Sequence, residues 1–414
     1  MSENNDRSDD RYDIVVWGAS GFTGKLVAEY LSGRYGTDRD LRWAIAGRNQ
    51  PKLESIRSGL GIDAESLPII VSDCFDIGAM RRLAGQTSVV LSTVGPYAKY
   101  GSALVEACAA IGTHYCDLAG EVQWMRKMID QFLPDAKRSG ARIVHSCGFD
   151  SIPSDIGVWF LQQEAKDLHG EVCEEIKLLV KAMKGGASGG TFASMMNALE
   201  ESKRDRNVAR LMVDPYSLNP EGERSGPDGR DQRGIEYHKE TGVWTAPFVM
   251  AVVNQRVVRR SNAVLNYPYG REFRYSEASL IGSGPVGWIK SAAVTAGLGG
   301  FMLVASFDAG RSLLVNRVLP QPGEGPSAKQ RESGFFNLLL VGKLADGTPM
   351  RARVTGDRDP GYGSTSKMLS ESAVCLAKDD LPSTGGFWTP ASAMGDALKK
   401  RLVENAGLTF DLIS

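Results

Sequence analysis

Residues 12–24 read Tyr-Asp-Ile-Val-Val-Trp-Gly-Ala-Ser-Gly-Phe-Thr-Gly, an apolar run of strand length that passes without a break into three spaced glycines. Directly after them, Thr23 to Arg34 carries Leu26, Val27, Tyr30 and Leu31, the i, i+1, i+4, i+5 stripe of a helix lying on a sheet. Strand, glycine turn and helix in that order open a βαβ unit. Gly18 permits a tight turn, Gly21 lets the backbone approach a pyrophosphate, and Gly24 lets the helix pack close to the strand. The spacing is G-x-x-G-x-x-G rather than G-x-G-x-x-G, with Ser20 beside the middle glycine and Phe22 and Thr23 at the helix start. Backbone N–H groups at such a start form an anion site, so this turn is the expected seat of a dinucleotide.

The rest of the unit follows. Leu41 to Ala46 is a second strand ending at Gly47-Arg48-Asn49. An NAD site places an acid at this strand end for the ribose 2′-hydroxyl. Arg48 stands there instead, with Asn49 beside it, and a guanidinium suits a 2′-phosphate, so the expected cofactor is NADPH. Alternation continues through strands 68–72, 88–94, 113–117 and 142–146, with helices at 77–83, 103–111 and 122–138 between them. Six strands alternating with helices predict an α/β fold with a doubly wound parallel sheet of the Rossmann type.

Ligands of such sheets lie beyond the carboxyl ends of the strands, which selects the remaining candidates. Asp73 follows strand three, within reach of an adenine amino group. Thr93, Val94, Gly95 and Pro96 follow strand four, where a Gly-Pro bend holds backbone close to ribose and nicotinamide; Tyr97 comes next, as a group reaching the reacting centre or as a packed aromatic in a rigid turn. Cys147 and Asp150 follow strand six as candidates to line the site. Ser154 and Asp155 read more simply as helix caps for 156–165.

Taken together, VVWGASGFTG, AIAGRN, TVGPY with the YG that follows it, HYCDLAGE and CGFDSIPSD resemble the saccharopine-dehydrogenase-like oxidoreductases. The length and the GGTFASM segment are most similar to the bacterial trans-acting enoyl reductases, which act with polyketide synthases in making complex lipids. The resemblance implies an NADPH-dependent Rossmann domain, a second α/β domain inserted after it, and C-terminal elements that return to the first. It implies reduction of an activated C=C bond in a polyketide- or fatty-acyl-derived lipid intermediate held on a carrier or synthase. Tyr97 is the expected proton donor in that reaction, with Cys147 and Asp150 as the other catalytic candidates. Alternatives are a saccharopine-type C–N dehydrogenase and a non-catalytic NADP-binding, lipid-associated protein. The sequence shows no basic cluster for substrate carboxylates, which counts against the first.

Division of the chain follows from these readings: a tail at 1–11, the NADP-binding domain at 12–155, a second, mixed-sheet domain at 156–360, and helices packing back on the first domain at 361–414. In the second domain, strands are expected at 175–184, 248–254, 273–281, 334–342 and 351–355, and Ser217 to Gly234 reads as a mobile loop or lid. Gly186-Ala187-Ser188-Gly189-Gly190 also satisfies the G-x-S-x-G of a hydrolase elbow, although His238 is the only histidine downstream and the nucleotide turn would be left unexplained. Pro285 to Phe307 carries one charge, Lys290, and reads as a helical hairpin broken at Gly297–Gly300, either core or a peripheral membrane contact.

Whole-chain arithmetic excludes other classes. Across 414 residues, 48 Lys plus Arg against 49 Asp plus Glu give a net charge of −1, which provides no footprint for a nucleic acid. Hydrophobic residues at 42% and charged residues at 23% are globular values. A polar, acidic start argues for a cytoplasmic protein. Six cysteines without C-x-x-C read as reduced thiols, and four histidines without metal-ligand spacing give no expected metal. A homo-oligomer is the expected assembly.

Overall fold

Strand β1 (Tyr12–Trp17) sends Ile14 and Val16 into one apolar core and Val15 and Trp17 into another, which is why its sequence is apolar throughout rather than alternating. The computed structural model describes residues 11–413 except 38–39, 62–63, 186–188, 315–316 and 318–324. After β1 come α1 (Phe22–Tyr35), β2 (Trp43–Gly47), α2 (Gln50–Gly59), β3 (Ile69–Val71), α3 (Ile77–Gly85) and β4 (Thr87–Ser92). The short α4 (Tyr97–Tyr100), α5 (Ser102–Ile111), β5 (His114–Asp117), α6 (Val122–Ser139), β6 (Arg142–Val144) and α7 (Ile152–His169) complete the first half. Helix α7 starts four residues before the expected 156, so Ser154 and Asp155 lie within its first turn rather than capping it.

The second half runs β7 (Glu175–Lys184), α8 (Gly189–Arg204), α9 (Arg206–Val213), β8 (Glu236–His238), β9 (Val243–Ala246), α10 (Ala251–Val264), β10 (Arg274–Gly282), α11 (Gly284–Ser306) and α12 (Asp308–Leu313). It closes with α13 (Ala328–Glu332), β11 (Phe335–Lys343), β12 (Pro349–Gly356), α14 (Thr365–Lys378), β13 (Gly386–Trp388), α15 (Pro390–Arg401) and β14 (Leu408–Leu412). Two seven-stranded sheets result. The first is wholly parallel, in the order β13-β6-β5-β4-β1-β2-β3; the second is mixed, β14-β12-β11-β7-β10-β9-β8, with only β7 and β10 parallel. The fold is therefore a Rossmann sheet joined to a mixed-sheet α/β unit.

The parallel sheet has seven strands, not six: β13 pairs with β6 through Phe387 and Ile143, which are 244 residues apart in the chain. Helix α14 lies across β1, β4 and β5, and its buried Glu371 accepts hydrogen bonds from Tyr30 and Tyr35 of α1, both at 2.7 Å. Two other expectations are corrected. Residues 248–254 are not a strand but lead into α10, whose arginines give it a polar signature on every side. Residues 284–306 form one uninterrupted helix rather than a hairpin, its glycines accommodated within the helix. Residues 217–234, read as a loop or lid, are anchored to the fold: Ser217, Leu218 and Asn219 are buried, Asp228 pairs with Arg259, and Asp231 pairs with Arg256 at 3.1 Å. The elbow residues 186–188 lie outside the described residues. All six cysteines are buried and unpaired with one another.

Candidate active site at the strand ends

Gly18 adopts φ +90°, and a side chain on it would collide with Val94 Cγ2 at 2.5 Å. Thr93 reinforces the turn by donating from Oγ1 to the Gly18 carbonyl at 3.2 Å. At Gly24 a Cβ would lie 2.2 Å from the Gly18 carbonyl oxygen, so strand and helix approach as closely as their backbones permit. Helix α1 has Gly21 as its N-cap with no side-chain cap, leaving the first-turn N–H groups directed out of the helix. Ser20 lies against Gly47 at the end of β2, and Phe22 packs edge-to-face on Tyr362 at 4.7 Å. Arg48 is exposed beside the turn and sits over the Tyr100 ring at 6.0 Å. Tyr100 in turn meets Phe75, which is 66% exposed, edge-to-face at 5.9 Å.

These residues fit NADP. The uncapped N–H groups would hold a pyrophosphate, the exposed Arg48 guanidinium would hold a 2′-phosphate, and the rings of Phe75 and Tyr100 would offer an apolar edge for adenine. Asn49 and Asp73 have local duties as well: Asn49 caps α2 by accepting from Lys52 N at 3.0 Å, and Asp73 accepts from Phe75 N at 3.1 Å, which fixes the turn that presents Phe75. The Phe75–Tyr100 pair escapes a reading of the sequence because neither residue follows a strand end directly.

A cavity of about 340 Å3 connects this turn to the second half of the chain. Thr23, Thr93, Gly95 and Asp150 line it from the nucleotide side; Met195, Met212 and Met302, from α8, α9 and α11, line it from the other. Among the described residues, no Lys, Arg or His lines it. Gly190, Thr191 and Phe192, from the first turn of α8, also line it.

The three catalytic candidates separate here. Tyr97 lines the cavity, but its hydroxyl donates to the Ser92 carbonyl at 3.1 Å and accepts from Leu118 N at 3.1 Å, and its ring stacks on Trp124. Burial and the nearby Asp117 carboxylate raise its pKa well above the ordinary value. Its hydroxyl is thus held at both its donor and acceptor positions and braces the turn. Cys147 is wholly buried in the core, does not line the cavity, and burial raises its thiol pKa.

Asp150 remains. It is one of the residues lining the cavity, and its Oδ1 is shielded from solvent with no hydrogen-bond partner among the described residues. Burial, with a smaller contribution from the Glu277 carboxylate, pushes its pKa up to about 7. Glu277 is itself buried and held by Asn254 Nδ2 at 2.9 Å and the Tyr275 hydroxyl at 2.8 Å.

One contributing residue was not among the candidates. Glu121, buried after β5, accepts from Tyr97 N at 2.7 Å, Ala98 N at 3.0 Å and the Ser194 hydroxyl at 2.7 Å. It thereby fixes the Gly-Pro-Tyr turn to α8 across the cavity. Its position in HYCDLAGE was visible, but the partner on α8 lies 73 residues away.

Comparison with known proteins agrees with this geometry. Residues 14–144 match the model of the saccharopine dehydrogenase NADP-binding domain. A relative from Mycobacterium tuberculosis, named as a candidate trans-acting enoyl reductase, is 43% identical over 402 residues, covering 94% of this chain and 95% of its own. Relatives named trans-acting enoyl reductase from Mycobacterium bovis and Mycobacterium leprae are 40% and 39% identical over the same span, with the same coverage. Apo saccharopine dehydrogenase (L-Glu forming) from Saccharomyces cerevisiae shares the fold at a TM-score of 0.55 and 10% identity, covering 97% of this chain and 100% of that one. The chain is an NADP-dependent oxidoreductase, and it belongs to the trans-acting enoyl reductase family, built on the saccharopine dehydrogenase fold.

Proposed function

We propose that this protein reduces the C=C bond of an α,β-unsaturated acyl group on a polyketide- or fatty-acyl-derived lipid intermediate carried by a synthase or carrier, with Asp150 as the acid. The observation that carries this reading is the lining of the cavity: apolar methionines and valines, no cation, and one unpaired, shielded carboxyl. Saccharopine-type chemistry on amino-acid substrates needs cationic side chains to hold carboxylates, and the lining offers none. An acyl chain needs the opposite, a dry apolar wall.

NADPH held at the glycine turn would supply the hydride for the β-carbon of the acyl group. The chain's own part is then the proton for the α-carbon. Asp150 holds that proton at its carboxyl and delivers it; the carboxylate left behind recovers one from water. Thr93 and Gly95 keep the turn that faces the reacting carbons fixed, and Glu121 ties it to α8 so that the gap between the two walls stays constant. Stopped-flow oxidation of NADPH against enoyl thioesters of increasing chain length tests the reading. Oxidation with a KM that falls as the chain lengthens is expected. Turnover only with amino-acid and oxo-acid pairs would overturn it.

A further inference from the structure

Helix α11 is 23 residues long, and only Gly287, Ser291 and Ala305 on it are buried. Ile289, Leu303 and, just after the helix, Phe307 are each 60% exposed or more. Its inner side is accounted for: Phe301 packs against Phe192 of α8 at 6.0 Å, and Ala305 joins Met196 in a small buried cluster. Its outer side meets no protein group among the described residues. A soluble surface rarely carries so long an apolar strip without a use for it.

Two further observations indicate what covers the strip. The first is charge. Helix α9 carries Arg206 and Arg210 one turn apart and has no fully buried residue, while Val213 beside them is 46% exposed. Lys203, at the end of α8, donates to the Ser306 carbonyl at the end of α11, bringing this basic group to the apolar strip. The nearby carboxylates are already engaged: Glu200 with Arg204, Asp308 with both Arg311 and Lys203, Asp205 as the N-cap of α9, and Asp214 at its other end with Tyr216 N. Arg206 and Arg210 are left without a partner carboxylate among the described residues. Apolar side chains beside unneutralised arginines match an anionic lipid surface.

The second is continuity with the cavity. Met302 and Val249 both line the cavity and reach solvent, and Met212 lines it from α9, so the mouth opens between the same helices. By length and composition the helix could span a bilayer, but β10 precedes it, α12 follows it, and it packs along β9 and β10. It is placed to lie in the plane of an interface.

We propose that α9, α11 and α12 form a collar that seats on an anionic membrane surface and leads an acyl chain from it into the cavity. This rests on the reading of the cavity as an acyl pocket, so binding and chemistry are measured apart. Vesicles of phosphatidylcholine with and without phosphatidylglycerol are floated with the full-length protein. Binding to the anionic vesicles is expected, at least ~10-fold weaker without phosphatidylglycerol or in high salt. Leu303→Asp with Phe307→Asp is expected to remove it, while NADPH binding and turnover of a short, soluble enoyl thioester persist. If that variant does not fold, the wild type still decides: brominated lipid should quench the Trp288 fluorescence, isolated by difference from Trp288→Phe. Absence of vesicle binding, absence of Trp288 quenching, or a folded double variant that binds as well as wild type overturns the proposal. So does a collar found covered by a second copy of the chain, or one that binds an acyl-carrier protein in preference to vesicles. Failure of enoyl turnover with vesicle binding intact would instead strike the proposed reaction.

Discussion

Asp150 is where a local sequence reading and its physical consequence differ most. As a letter in CGFDSIPSD it is a polar residue after a strand; in the fold it is a shielded carboxyl whose pKa is pushed up to about 7, first by burial and then by Glu277. A carboxyl poised near neutrality keeps a proton to give, whereas an ordinary aspartate at about 3.9 has lost it. Turnover is therefore expected to fall as pH rises through about 7, as the acid form is depleted. Asp150→Asn should slow turnover by ~10²-fold or more and abolish that pH limb while leaving NADPH affinity in place. The stability sign follows from the same shift. A folded pKa raised above the unfolded value gives a contribution that is fully present below about pH 4 and lost as pH rises through about 7, so Asp150→Asn should gain stability relative to wild type at pH 8 but not at pH 4. Tyr97→Phe is the control: its hydroxyl bonds only Ser92 and Leu118, so it should lower the melting temperature and leave the pH limb intact.

At the scale of elements, legibility followed the distance between partners. The glycine turn, α1, Arg48 and strands β1 to β6 were readable because apolar runs and turn residues decide them within about ten positions. Strand β13 was not, since Gly-Phe-Trp is too short to show a period and is a strand only because β6 offers an open edge. Helix α10 is hidden in the sequence for a related reason. Arg256, Arg259 and Arg260 suggest a solvated face, yet all three are buried, with their charge spread over distant acceptors. The residues taken as a lid are those acceptors. Arg260 donates to the Leu218 carbonyl in that loop and to the Phe387 carbonyl of β13 at 2.7 Å, and burial, with Arg126 nearby, lowers its pKa to about 9. Arg260→Met should leave the Phe387 carbonyl without this donor and the Leu218 carbonyl with only the 3.5 Å bond from Arg126 Nη1, and cost on the order of 2 kcal/mol, read as a lower urea midpoint. Arg260→Lys should recover only part of it, because one ammonium does not reproduce the fork that spans both acceptors. Unchanged stability in the Met variant would mean that water replaces the guanidinium and that the loop is anchored by Asp228 and Asp231 alone.

At the scale of the molecule, the two sheets are not two independent bodies joined by a linker. Strand β13 closes the edge of the parallel sheet against β6, and β14 closes the edge of the mixed sheet against β12 through Val354 and Phe410, with α15 between them packed on α7. The join is polar as well as apolar: buried Asp155 of α7 accepts from Ala391 N of α15 at 2.7 Å and from Ser261 of α10. The last thirty or so residues thus tie both sheets to the helices whose faces meet at the cavity. A chain ending at residue 381 would uncover the Ile143 and Val354 edges together and leave Asp155 with fewer bonds in a buried site, a loss that two-state folding does not absorb locally. Calorimetry of the full chain should show one transition, moved upward by NADPH through mass action, by about 2.7 kcal/mol at a hundredfold excess over Kd. The shortened chain should show neither the transition nor NADPH binding, although none of the removed residues lines the cavity or the glycine turn. If it still bound NADPH with near-normal affinity, the parallel sheet would fold on six strands alone, and the seventh would serve only to hold the second unit in place.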